Sequence, residues 1–168
     1  METERIDRVR RAMAARGLTQ MIVCDPQSID YLTGVYVEPF ERLFALCLRA
    51  DGSHVFFLNK LFSVPETPIE NVWFTDTDDS IGMIAQRIQA GEPLGIDKEW
   101  PARFLLPLME RLPGTPCQLA SDCVDSVRAR KDAAEQELMR MNSRLNDEAM
   151  TRAAAYIREG MTERQVAD

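Results

Sequence analysis

Met21-Ile22-Val23-Cys24-Asp25-Pro26-Gln27-Ser28-Ile29-Asp30-Tyr31-Leu32-Thr33-Gly34 is the stretch from which the fold is read. Residues 21–24 form a short apolar run of the length of a buried strand. Asp25 followed by Pro26 signals a helix start. The carboxylate accepts orphan backbone N–H groups, and proline fits the first turn without losing a bond. Ile29, Tyr31 and Leu32 give this short helix something to bury. Gly34 stops it, because glycine takes the left-handed conformation without penalty. A strand feeding a capped helix points to the interior of an α/β domain, although the same spacing fits any βα unit, whatever its role.

On the amino-terminal side, Ile6, Val9 and Met13 recur at helical spacing, predicting a helix over about residues 4–15 that Gly17 ends. On the other side, residues 35–42 contain Pro39 and read as a loop. Residues 43–48 and 54–58 are apolar runs around the turn Ala50-Asp51-Gly52-Ser53, which predicts an antiparallel hairpin. Residues 59–68 read as mostly loop, with room for one helical turn. A short strand follows at 72–74. Asp76, Asp78 and Asp79 then precede a helix whose apolar side is Ile81, Ile84, Ala85 and Ile88. Acidic groups there oppose the positive helix end, so capping is the better reading than metal binding.

Residues 94–96 make another strand. Pro101 opens a helix with Phe104, Leu105, Leu108 and Met109 as its stripe, and Pro113-Gly114-Thr115-Pro116 ends it. Residues 117–120 read as a last strand and 123–127 as one helical turn. The order α-β-α-β-β-β-α-β-α-β implies an α/β fold, a mixed sheet with helices on both faces.

From Asp132 to Ile157 there is neither glycine nor proline. Asp132 and Glu135 fit a capping box. Leu138, Met141, Leu145, Ala149, Ala153 and Ile157 form a long stripe, and Gly160 is expected to close this helical arm. Thr162 and Gln165 open another helix by the same device. It stops at Asp168 soon after starting, as a truncated chain would.

The 168 residues are 45% apolar and 28% charged, enough for one sizeable core. No apolar run approaches the ~20 residues of a membrane span, and the mixed-charge start is unlike a signal peptide. The expectations are a cytoplasmic location and no membrane partner. A net charge of −7 without a basic stripe argues against nucleic acid. Cys24, Cys47, Cys117 and Cys123 lack C-x-x-C spacing, so disulfides and zinc ligation are not expected, and Cys24 and Cys47, inside apolar runs, read as small buried hydrophobes. His54 is the single histidine and reads as structural. There is no phosphate-binding loop, no dinucleotide fingerprint and no zinc-ligand spacing. No residue is assigned a catalytic or metal-binding role.

Three stretches together resemble the amino-terminal domain of the creatinase, prolidase (Xaa-Pro dipeptidase) and aminopeptidase P family. They are residues 28–34 with Glu41-Arg42 and Asp51-Gly52; Leu94-Gly95-Ile96-Asp97; and residues 127–131 with Glu135, Glu137 and Leu138, then 157–163. One departure is Asn59, where relatives more often carry proline. The resemblance implies a ribonuclease-H-like fold over 1–130, and the opening helices of a pita-bread metallopeptidase domain over 131–168. It implies a parent Xaa-Pro peptidase, commonly a homodimer, acting on proline-containing peptides with two divalent ions (manganese, cobalt or zinc). The ligands of those ions lie downstream, so the 168 residues alone are expected to hydrolyse no such dipeptide and to hold no cofactor. A creatinase-like amidinohydrolase and a non-catalytic interaction module are the alternatives. The resemblance also implies that the loop 35–42 helps close an active site, which makes Tyr36, Glu38, Phe40 and Arg42 substrate-facing candidates. Arg42 reads equally as an ion-pair partner, and Tyr36 and Phe40 as packing on the hairpin.

Overall fold

A computed structural model describes residues 3–167. They divide into two compact units, the first ending at Ala129 and the second starting at Arg130.

The first unit holds β1 (Gln20–Val23), β2 (Ala45–Arg49), β3 (Val55–Asn59), β4 (Glu70–Phe74), β5 (Leu94–Ile96) and β6 (Cys117–Leu119). Its helices are α1 (Thr3–Ala15), α2 (Pro26–Thr33), α3 (Ser80–Ala85), α4 (Ala102–Arg111) and α5 (Asp122–Ala129). The strands form one mixed sheet in the order β4-β3-β2-β1-β5-β6. Only the β1–β2 and β2–β3 pairs are antiparallel. The expected hairpin is β2–β3, and the other three pairs, β1–β5, β3–β4 and β5–β6, are parallel.

Alternation along the central strands builds two cores. Met21, Val23, Leu46, Leu48, Phe56 and Leu58 face one side, where α1, α2 and α5 contribute Val9, Met13, Ile29, Leu32 and Val124. Ile22, Ala45, Cys47, Val55 and Phe57 face the other, against Ile84, Ile88, Leu108 and Leu112. Every residue of β1 is buried, as a central strand covered on both faces requires. Each large apolar side chain taken fully inside contributes about 1.5–3 kcal/mol.

The anchor stretch folds as read. Asp25 caps α2 by accepting from the N–H groups of Gln27 and Ser28, and Gly34 ends it at φ 72°. Several boundaries differ from the reading. β1 starts at Gln20, one residue early, because the Gln20 amide is fully buried and satisfied: it donates to the carbonyls of Gln89 and Glu92 and accepts from the Gln89 N–H. Residues 60–68 contain no helical turn. Met109 is exposed, and Leu112, the residue just past α4, is buried near Leu108 instead. The single turn expected at 123–127 is a full helix, α5, because Cys123 and Val124 bury their side chains. All four cysteines are free thiols.

His54 lies just before β3, and its Nδ1 accepts the Arg49 N–H at 3.1 Å. Burial, and next the Arg10 guanidinium, hold this imidazole below its ordinary range. A folded-state value below the unfolded one means that protons bind the unfolded chain more tightly. The His54 contribution is therefore complete above the unfolded value of about 6.5 and is lost as pH falls from there through the lower folded value. The urea midpoint of the parent should drop more between neutral and mildly acidic pH than that of His54→Gln. Parallel pH curves would overturn this.

The second unit holds α6 (Ala133–Tyr156) and α7 (Glu163–Ala167). The capping box is present: Asp132 accepts from the Glu135 N–H, and Glu135 accepts from the Asp132 N–H. α6 ends at Tyr156 rather than at Gly160, because Ile157 is already extended at ψ 131°. Gly160, at φ 86°, belongs to the turn that follows. Thr162 and Gln165 cap α7 reciprocally. Leu138, Met141 and Leu145 are exposed, and α6 has no buried residue.

Candidate functional site

β1 and β5 are parallel neighbours, so their carboxyl ends open side by side. Loops leaving such adjacent ends form the crevice in which open α/β sheets bind ligands. The Asp97 carboxylate clasps the two ends together. One oxygen accepts the N–H groups of Cys24 and Asp25, each at 3.0 Å. The other accepts the Ser121 hydroxyl at 2.9 Å and the Glu99 N–H at 3.3 Å. Asp97 is 4% exposed, and its four donors are what make a buried carboxylate tolerable.

Above this clasp lies a cleft of ≈ 430 Å³. Its wall is made of Cys24, Asp25 and Pro26 after β1, residues 38–40 with Arg42 and Phe44, residues 98–101 after β5, and Phe104, Asp125 and Arg128. The Cys24 thiol is pushed well up by burial and then by Asp97, Asp25 and Glu99, so it is a packing group and not a nucleophile. Burial likewise pushes Cys47 up to about 11.

The strap 35–42 is staked along its length. The Thr33 hydroxyl donates to the Ile29 carbonyl and accepts the Val35 N–H. Val35 and Val37 are buried, which turns Tyr36 and Glu38 outward, and the Tyr36 hydroxyl donates to Glu38 at 3.2 Å. That bond raises the Tyr36 phenol above its ordinary range. Phe40 has φ 50° and is 77% exposed. A bulky side chain in the left-handed region is an outlier held there by its surroundings. Arg42 grips Asp76 through Nε and Nη2 at 3.1 Å each. This pair holds Asp76 below the usual carboxylate range and Arg42 above its own. Asn59 completes the junction: its Nδ2 donates to Asp76 at 2.7 Å, a bond that proline lacks. Asp79 caps α3 and pairs with Arg111.

Of the four loop candidates, Glu38, Phe40 and Arg42 line the cleft, whereas Tyr36 does not. Arg42 is engaged as an ion-pair partner. Sequence reasoning missed Lys98, Glu99, Trp100 and Arg128, which reach the cleft from other elements. The one available signal was the position of Lys98, Glu99 and Trp100 just after Leu94-Gly95-Ile96-Asp97 and of Arg128 within residues 127–131. Among the described residues no group of three or more His, Cys, Asp or Glu could hold a metal ion. No described helix is long and apolar enough to cross a membrane.

Three comparisons bear on this arrangement. The probable dipeptidase PepE of Mycobacterium tuberculosis is 28% identical over 165 residues, which are 93% of this chain and 44% of that protein. The crystal structure of dipeptidase PepE from Mycobacterium ulcerans superposes with a TM-score of 0.86 at 28% identity, over 99% of this chain and 47% of that one. The creatinase/prolidase N-terminal domain of an X-Pro dipeptidase from Streptococcus pyogenes shares the fold, with a TM-score of 0.61 at 18% identity, over 75% of this chain and 99% of that one. The chain thus spans less than half the length of the two PepE dipeptidases. Residues 5–130 match the family described as the creatinase/prolidase N-terminal domain, and to that family the chain belongs.

Proposed function

We propose that this chain supplies the amino-terminal domain of an Xaa-Pro dipeptidase or aminopeptidase-like metallohydrolase, where it serves dimerisation and helps close the active site. The observation that carries the reading is the family match over residues 5–130, joined to a likeness to dipeptidase PepE that extends over 99% of the chain. The parent enzyme is read as a cytoplasmic homodimer acting on proline-containing peptides. It would use two divalent ions, manganese, cobalt or zinc. The residues described here do not fit that metal pair, since they gather no ligand set. In this reading the ligands come from elsewhere in the parent protein, and the role left to this domain is shape. A staked loop bearing exposed aromatic and acidic side chains excludes water and orients a peptide.

The test uses the full-length enzyme. Tyr36→Ala and Glu38→Ala should each lower kcat/KM for Xaa-Pro dipeptides about tenfold, ~1.4 kcal/mol of transition-state stabilisation. Metal content and thermal unfolding should stay as in the parent. Parent-like kcat/KM for several dipeptides in both variants would make the loop a mere connector.

A further inference from the structure

The charges around the cleft do not balance. Its wall carries three cations, and each already has a carboxylate. Arg42 holds Asp76, Lys98 holds Asp125 at 2.6 Å, and Arg128 holds Asp25 at 3.4 Å and the Ser28 hydroxyl at 3.1 Å. Two wall carboxylates remain, Glu38 and Glu99, and neither forms an ion pair among the described residues. Among the described residues, Glu38 accepts only the neutral Tyr36 hydroxyl. Negative charge is also felt at Cys24, whose thiol Asp97, then Asp25 and Glu99, push further up after burial has done so.

The rest of the wall is aromatic and proline-rich. Phe104 already carries the Arg103 guanidinium at 4.9 Å, and Phe44 stacks on Phe56. Phe40 and Trp100 are left. Phe40 presents its ring at the rim. Trp100 is 6% exposed, and its Nε1 is buried without an acceptor among the described residues. A buried donor without a partner calls for an explanation. An oxygen brought in by a ligand would answer it.

We propose that this cleft binds a primary ammonium on an alkyl stem, presented as a lysine side chain of a peptide. Glu38 and Glu99 receive the charge, Phe40 and the prolines cover the stem, and a peptide carbonyl of the bound segment accepts from Trp100 Nε1. An ammonium beside exposed aromatic and carboxylate groups gains from both. A divalent cation fits less well, because no group of three acidic, histidine or cysteine side chains converges there. The site shares Glu38 and Phe40 with the loop of the peptidase reading, but it rests on the charges of the cleft itself, and binding by the 168-residue chain tests it separately from turnover by the full-length enzyme.

The test is titration of the 168-residue chain with acetyl-Ala-Lys-Ala-amide, followed by the Trp100 indole N–H resonance, assigned with Trp73→Phe. The norleucine peptide and pentylamine are the comparison probes. The lysine peptide should bind saturably and move the Trp100 signal. Norleucine should bind at least about tenfold more weakly. Glu38→Gln and Glu99→Gln should each weaken lysine binding about threefold, and added salt should weaken it further. Pentylamine binding as tightly as the peptide would overturn the peptide assignment. No saturable binding, equal binding of norleucine, or indifference to both Glu substitutions would overturn the site. Both glutamates are exposed, so their glutamine variants should fold, and amide spectra check this directly.

Discussion

Asp97→Ala is expected to destabilise the chain by about 4 kcal/mol, the largest single-residue effect at this site. The carboxylate receives four donors, and two of them, the N–H groups of Cys24 and Asp25, belong to the backbone where β1 hands over to α2. A buried donor stripped of its acceptor costs about 1–3 kcal/mol, and alanine strips both along with the Ser121 hydroxyl. Total stabilities of domains run about 5–15 kcal/mol, so much of the margin goes. Urea unfolding should show the midpoint collapse with the slope retained. Asp97→Asn is the informative companion. Its amide keeps one acceptor and turns an NH₂ toward a donor pair, so its loss should be about half that of alanine. The fastest new amide exchange should appear at Cys24 and Asp25, at the floor of the cleft. If alanine cost less than about 1 kcal/mol, Asp97 would not be the clasp.

Gly95→Ala should cost about 3 kcal/mol, at the upper end for overpacking. A Cβ at this position would lie 2.9 Å from the Ala120 Cβ and 3.1 Å from both Cβ and Cγ of Met21. Two of these obstacles are β-carbons, which move only with their backbones, and Met21 and Ala120 are both fully buried. Relief must therefore come from separating β5 from its neighbours. Ala120→Gly removes the nearest obstacle and should recover about 1–2 kcal/mol of the loss when combined with Gly95→Ala. A double-mutant cycle on unfolding free energies measures this coupling. Additive losses would show that the strain lies elsewhere.

Local chemistry made much of the first unit legible. Asp25-Pro26 and Gly34 bound α2 because capping and left-handed termination are properties of single residues and their immediate backbone. The same holds for the Asp132–Glu135 box. Ala50-Asp51-Gly52-Ser53 announced the β2–β3 hairpin, since turn chemistry is equally local. Where sequence reasoning slipped, a distant group decided the outcome. Gln20 extends β1 because the backbone near Gln89 satisfies its amide. Met109 is exposed and Leu112, just past α4, is buried, because packing against the sheet, and not spacing alone, selects which side chains go inside.

The chain by itself determined the element order, the capped helix after β1, the hairpin and the two-sided burial that makes this an α/β sheet. Each follows from interactions among residues close in sequence, or from periodicity that any buried face imposes. Tertiary structure alone decided the candidate site. Asp97 became a clasp only when β5 paired beside β1, which brought its carboxylate to Cys24 and Asp25 across more than seventy positions. Arg42 met Asp76, and Lys98 met Asp125, for the same reason. Ion pairs between separate elements leave no local signature. Which carboxylates stay uncompensated, and hence what charge the cleft favours, is set only once the strands have come together.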